Sequence, residues 1–68
     1  MDRQQLRNAL DLETNGQRDV RIEFDRAPHC IVKRALLIPA EPDSLVKLTD
    51  GSRTYIVDAE RVAWIEIG

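Results

Sequence analysis

The segment from Arg53 to Ile67 constrains the fold of this chain more than any other part of it. Two apolar runs, 53–57 and 62–67, flank the four residues 58–61, whose sequence is Asp-Ala-Glu-Arg. An acidic residue that opens such a four-residue stretch is typical of a single helical or 3₁₀ turn. The segment therefore predicts strand, tight turn, strand, an ending typical of small antiparallel barrels with strongly bent strands.

The size of the chain limits how it can be stabilised. A chain of 68 residues buries only about 60% of the surface that it exposes when unfolded, so small folds often add disulfides, a metal or a partner subunit. Cys30 and His29 are the only cysteine and histidine, which excludes an internal disulfide and a Cys/His zinc site within one subunit. We therefore expect no cofactor, and we expect a homo-oligomer.

The charge of the chain is small and evenly mixed. The formal net charge is −2, and no basic tail or arm is present. Strong non-specific binding to nucleic acid is not expected, because it needs many cations on one face. No signal peptide or membrane-spanning run is recognised, and a single free cysteine fits a reducing compartment. These features predict a cytoplasmic protein without a membrane partner.

The N-terminal residues predict a short amphipathic helix over 2–13. Asp2 and Gln5 have the spacing of a capping box, and Asn15-Gly16 is expected to end the helix, since both residues tolerate positive φ. Because isolated helices of this length are marginal in water, we expect it to dock on the open end of the barrel or on a neighbouring subunit. Its apolar stripe consists of Leu6, Ala9 and Leu10.

The rest of the chain predicts five short strands in a single domain, 1–68. Ala27-Pro28-His29 reads as a loop between the first two strands, because proline removes a ladder donor. A slip in alternation around Lys33-Arg34-Ala35 predicts a β-bulge, Val46 and Leu48 are the expected inward pair of the third strand, and Asp50-Gly51 predicts a hairpin. The first and last strands are expected to pair with each other. The predicted strands are 18–26, 30–38, 45–49, 53–57 and 62–67.

This order of elements resembles the Sm-like fold, and within it the bacterial Hfq-type proteins. The match is one of residue types, and it includes Leu6 to Leu10, Val20 to Phe24, Leu45 to Leu48, Tyr55 to Ala59 and Val62 to Ile65. The resemblance implies a mainly β fold: an N-terminal helix and a five-stranded, bent antiparallel barrel of Sm-like or SH3-like type. It also implies a ring in which the fourth strand of one subunit pairs with the fifth strand of the next.

Apolar residues of the last two strands are the predicted oligomer interface. These residues are more numerous than one face of the barrel can bury, and an apolar strand edge that is left unpaired promotes aggregation. The predicted interface residues are Tyr55, Ile56, Val57, Ala63, Trp64, Ile65 and Ile67.

The resemblance implies RNA binding, but part of the family's RNA-binding cluster is replaced in this chain. Hfq-type proteins hold uridine-rich RNA with a Tyr-Lys-His cluster, whereas here Ile56 and Val57 follow Tyr55. Two hypotheses therefore stand: an Sm-like protein that binds RNA weakly or selectively, and a protein-interaction module without a nucleic-acid ligand. The candidate RNA-binding residues are Lys33, Arg34, Lys47, Arg53 and Tyr55.

No residue pattern in the sequence predicts an enzyme. His29 and Cys30 are adjacent on a predicted strand, so their side chains should point to opposite faces. Asp58 and Glu60 fit the capping of a turn, and two carboxylates of the proline loop, Glu41 and Asp43, are too few for a metal site. We therefore expect a non-enzymatic binding module.

Overall fold

The computed structural model describes residues 1–13 and 17–68, so the predicted helix stop at Asn15-Gly16 lies outside the described residues. Six strands form two three-stranded antiparallel sheets, with order β2-β1-β6 in sheet A and β3-β4-β5 in sheet B. The mainly β class with an N-terminal helix is confirmed, whereas the ladders do not close the two sheets into a barrel. The elements are α1 (Arg3–Glu13), β1 (Val20–Phe24), β2 (Ala27–Val32), β3 (Leu36–Leu37), β4 (Val46–Thr49), β5 (Thr54–Val57), a 3₁₀ turn (Ala59–Arg61) and β6 (Val62–Ile67).

Helix α1 begins with the predicted capping box. The Gln5 backbone N–H donates to Asp2 Oδ1 at 2.7 Å, and the Asp2 N–H donates to Gln5 Oε1 at 3.0 Å, so two orphan donors of the first turn are satisfied. Leu6 and Leu10 are fully buried. The helix packs on β3, β4 and the 3₁₀ turn of its own chain, which leaves no need for a neighbouring subunit to cover its apolar stripe.

Sheet A is organised around β1, which pairs with β2 on one side and with β6 on the other. The predicted pairing of the first and last strands is therefore confirmed. Val20 and Ile22 point into the core and are fully buried. The β1–β6 register slips after Glu23, where Ala63 is the extra residue of a bulge in β6.

The predicted loop at 27–29 is wrong, because Ala27 and Pro28 open strand β2. The chain reverses one step earlier, at Asp25-Arg26, where Arg26 has φ 57°. Strand β2 is an edge strand, and Pro28 lies where its register with β1 shifts. An edge position and an irregular register both tolerate a missing N–H.

The predicted single strand over 30–38 is also wrong, so the described residues form six strands where five were expected. Lys33 and Arg34 form a turn, with Arg34 at φ 49°, that carries the chain from sheet A into sheet B. The Ala35 N–H beyond it donates to the Arg18 carbonyl at 2.9 Å. The slip in alternation was located correctly, but it marks a passage between sheets and not a bulge within one strand.

Sheet B and the 3₁₀ turn follow the predicted local chemistry. Val46 and Leu48 face inward and are fully buried. Asp50 Oδ1 accepts from the N–H groups of Ser52 and Arg53, which closes the predicted hairpin between β4 and β5. The 3₁₀ turn begins after Asp58, whose side chain accepts from the Glu60 N–H. The core joins α1 to both sheets through Leu6, Leu10, Val20, Ile22, Val32, Ala35, Val46, Leu48, Val57, Ala59 and Val62.

Candidate functional site

The two sheets have four edges, and two of them are protected against further strand pairing. Strand β2 carries Pro28, and β3 has only two residues; proline and shortness are both features that keep an edge from adding a strand. Strands β5 and β6 have neither protection, and each has a paired neighbour on one side only among the described residues. The open edges of this fold are therefore those of β5 and β6.

The edge of β5 exposes the most accessible large apolar side chain that the structure describes. Ile56 is 61% exposed on the outer face of sheet B, whereas its neighbour Val57 is 4% exposed and belongs to the core. Tyr55 is half-buried, and its hydroxyl donates to Asp50 Oδ2 at 3.1 Å. This hydrogen bond fixes the Tyr55 ring beside the hairpin, and it raises the pKa of the phenol.

The edge of β6 exposes the one tryptophan of the chain. Trp64 is 50% exposed on the outer face of sheet A, and the Arg21 guanidinium lies 6.0 Å from its ring centroid, within range of a cation–π contact. Arg21 Nε also donates to Glu23 Oε2 at 2.7 Å. Ile65 and Ile67 are half-buried against the core, and Ala63 is exposed at the bulge. The sequence did not single out Arg21 and Glu23, although their outward positions in the alternation of β1 were a signal for this surface.

The candidate RNA-binding cations around the turn at 33–34 are held by polar neighbours. Lys33 Nζ donates to Asp19 Oδ2 at 3.1 Å, and the Arg34 guanidinium donates to Gln17 Oε1 at 3.4 Å. Asp19 Oδ1 also accepts from the Arg34 backbone N–H. The bond from the Arg34 backbone N–H and then the bond from Lys33 lower the pKa of Asp19. The charge of Lys33 is thus compensated by a carboxylate.

The charge of Lys47 is compensated more completely than that of Lys33. Its ammonium donates to Glu41 Oε1 at 2.8 Å and to Asp43 Oδ2 at 2.9 Å, and the Lys47 side chain is only 17% exposed. The bond to Asp43 and then that to Glu41 raise the pKa of Lys47, and the same ammonium lowers the pKa of Asp43. These contacts hold the proline loop against the outer face of sheet B. Both carboxylates of the loop therefore accept hydrogen bonds from Lys47.

The five candidate RNA-binding residues do not form one surface. Lys33 and Arg34 lie at the turn between the sheets, Lys47 lies on the outer face of sheet B, and Arg53 lies in the β4–β5 hairpin. Tyr55 is the one candidate that also belongs to an open edge. The structure therefore brings together the predicted interface residues of β5 and, separately, those of β6, and it scatters the predicted cations.

His29 and Cys30 are placed apart, as adjacent strand residues should be. The His29 imidazole faces Glu23, with 3.9 Å between Nδ1 and Oε2, whereas Cys30 packs against the core. Partial burial raises the pKa of the Cys30 thiol, which disfavours the nucleophilic thiolate. Asp58 caps the 3₁₀ turn as expected. Within 1–13 and 17–68, no three His, Cys, Asp or Glu residues are grouped to hold a metal ion.

Two depressions on the described part of the surface are both small. Their volumes are about 190 and 160 Å³, below the range of about 300–1,000 Å³ that is usual for small-molecule sites. The larger lies on sheet A beside Lys33 and Glu66, and the smaller lies between the start of α1 and the 3₁₀ turn. The strand edges are therefore the more developed candidate site.

In the comparisons with known proteins, no family model, no curated protein and no solved structure matched this chain. Among the described residues, none of the helical structure is long and apolar enough to cross a membrane.

Proposed function

We propose that the chain is a non-enzymatic module whose function is assembly with copies of itself through the open edges of β5 and β6. The observation that carries the proposal is the contrast between the four sheet edges. Pro28 and the two-residue length protect β2 and β3, while β5 and β6 have the most exposed large apolar side chains, Ile56 and Trp64. A strand added to either open edge would satisfy backbone groups and cover apolar surface at once.

We further propose that the assembly is of Sm-like or SH3-like type. The sequence of helix, meandering strands, 3₁₀ turn and a last strand that pairs with the first supports this relationship. Pairing of β5 with β6 of another copy joins two different surfaces, so it is heterologous and generates a ring or an open filament. The proposed interface consists of Tyr55, Ile56, Val57, Ala63, Trp64, Ile65 and Ile67, of which Val57 has its side chain buried in the core.

Binding of a protein is better supported than binding of RNA. Lys33 and Lys47 are paired with carboxylates of the same chain, so fewer free cations remain to neutralise phosphates. The RNA hypothesis is tested directly with short oligonucleotides at rising salt, since phosphate contacts weaken as salt increases. Absence of binding at low salt excludes it, and salt-sensitive binding to the assembled protein would establish it as a further property.

Self-assembly is tested by the mass in solution, measured by analytical ultracentrifugation. The unaltered protein is expected to be larger than a monomer, and Trp64→Arg is expected to dissociate it, because the arginine places a charge at the proposed interface. Ile31→Arg is the matched control: Ile31 is 44% exposed on the same outer face, but it lies on the proline-bearing strand β2. A strictly monomeric protein, or equal effects of the two substitutions, would overturn the proposal.

A further inference from the structure

The backbone of β6 shows which of its residues can bond to an added strand. In an antiparallel ladder, successive residues bond alternately to the neighbour on one side and to the neighbour on the other. The Gly68 N–H donates to the Asp19 carbonyl at 3.1 Å, on the side of β1. Glu66 and Trp64 therefore also bond towards β1, and Ile65 and Ile67 present their N–H and C=O groups to the open edge.

The same reasoning applies to β5. The Asp50 N–H donates to the Arg53 carbonyl at 3.3 Å, on the side of β4. Tyr55 and Val57 therefore bond towards β4, and Thr54 and Ile56 present their backbone groups to the open edge. An antiparallel pairing of β6 with β5 of a second copy must place Ile65 opposite a residue that presents its backbone groups to the open edge. That residue is Thr54 or Ile56 of the partner subunit, and any other allowed register differs from these two by a multiple of two residues.

We infer that a second copy of this chain docks on β6 in the register that places Ile65 opposite Thr54 of the partner subunit. This inference rests on the proposed self-assembly and adds its register. Opposite residues of an antiparallel pair share a face, so Glu66 then lies opposite Arg53 of the partner subunit. Trp64 lies opposite Tyr55 of the partner subunit, which makes an aromatic cross-strand pair.

Charge complementarity selects this register. Glu66 and Arg53 are exposed, and neither is in an ion pair with a described residue. A slip of two residues in one direction moves Glu66 opposite Tyr55 of the partner subunit, whose hydroxyl is already bonded to an aspartate. A slip in the other direction moves half of the added β5 beyond β6 and onto the 3₁₀ turn. The inferred register brings these two opposite charges together and keeps the strands overlapped.

Charge reversal tests the register. Arg53→Glu and Glu66→Arg, each alone, are expected to weaken self-association about tenfold, since each replaces a cross-strand attraction by repulsion. The double variant exchanges the two charges and is expected to recover the affinity of the unaltered protein to within about threefold. Additive losses in the double variant would overturn the register.

Disulfide trapping between two single-cysteine proteins tests it independently, in a Cys30→Ser background. Glu66 and Arg53 of the partner subunit form a pair without mutual backbone hydrogen bonds, whose Cα atoms approach to about 4.5 Å, within the range of a disulfide. A mixture of Glu66→Cys and Arg53→Cys proteins is expected to cross-link in higher yield than a mixture of Glu66→Cys and Tyr55→Cys. The reverse order of yields, in a protein that does self-associate, refutes the register alone; a monomeric protein refutes the proposed function itself.

Discussion

Replacing Leu6 by alanine tests whether α1 is part of the folded core of its own chain. Leu6 is fully buried where the helix packs on β3, β4 and the 3₁₀ turn. A buried leucine truncated to alanine loses its transfer free energy and leaves a cavity, at a cost of about 2–5 kcal/mol. A chain of 68 residues has a total stability of about 3–10 kcal/mol. We therefore expect Leu6→Ala to remove at least about a fifth of the stability.

The assay is urea unfolding followed by circular dichroism at two protein concentrations. With a slope of about 1 kcal/mol per molar urea for so small a chain, the midpoint should fall by at least about 2 M. Asn8→Ala is the matched control, because Asn8 lies on the exposed side of the same helix and should change stability by less than about 0.5 kcal/mol. A loss below about 1 kcal/mol, or a loss seen only at the concentration where subunits associate, would show that α1 is not docked within its own chain.

Two further predictions concern the β4–β5 hairpin. Gly51 has φ +97°, a backbone conformation that residues with a side chain rarely adopt, so Gly51→Ala should reduce the unfolding free energy by about 1 kcal/mol. The neighbouring Ser52→Ala is the control and should change it by less than about 0.5 kcal/mol. Equal effects of the two substitutions would contradict this prediction. The N–H groups of Arg53 and Ser52 lower the pKa of Asp50 from its ordinary value of 3.8, so its stabilisation is present above that value and is lost as the pH falls through the lower, folded-state pKa. Asp50→Asn should therefore destabilise the protein more at about pH 7 than at about pH 2 in urea titrations, and an equal loss at both pH values would refute this role.

Features set by neighbouring residues were predictable from the sequence. The capping pair Asp2 and Gln5 and the Asp50-Gly51 hairpin depend on contacts within a few residues, and both appear in the structure. Pro28 shows the limit: proline removes a donor wherever it stands, but whether that donor faces solvent at an edge is decided by the order of the strands. Sheet order is a tertiary property, so the loop predicted around Pro28 is a strand.

The candidate site depended on the same tertiary information. Ile56 and Val57 are both apolar residues of one predicted strand, yet one is 61% exposed and the other 4%. Lys33 was predicted to bind RNA because the sequence does not show that Asp19, fourteen residues earlier in the chain, accepts a hydrogen bond from its ammonium. Composition identified the apolar segment, but only the fold separates side chains that complete the core from those that remain exposed.

The placement of the two open edges determines what kind of assembly they can make. Strands β5 and β6 belong to different sheets, and a short 3₁₀ turn joins them. Asp58 caps that turn, and Ala59 anchors it in the core at 1% exposure, so the angle between the edges is held by packed residues and not by a flexible loop. In a heterologous assembly this angle sets the rotation from each copy to the next. An angle held in this way favours a ring of one size or a regular filament over a mixture of irregular aggregates.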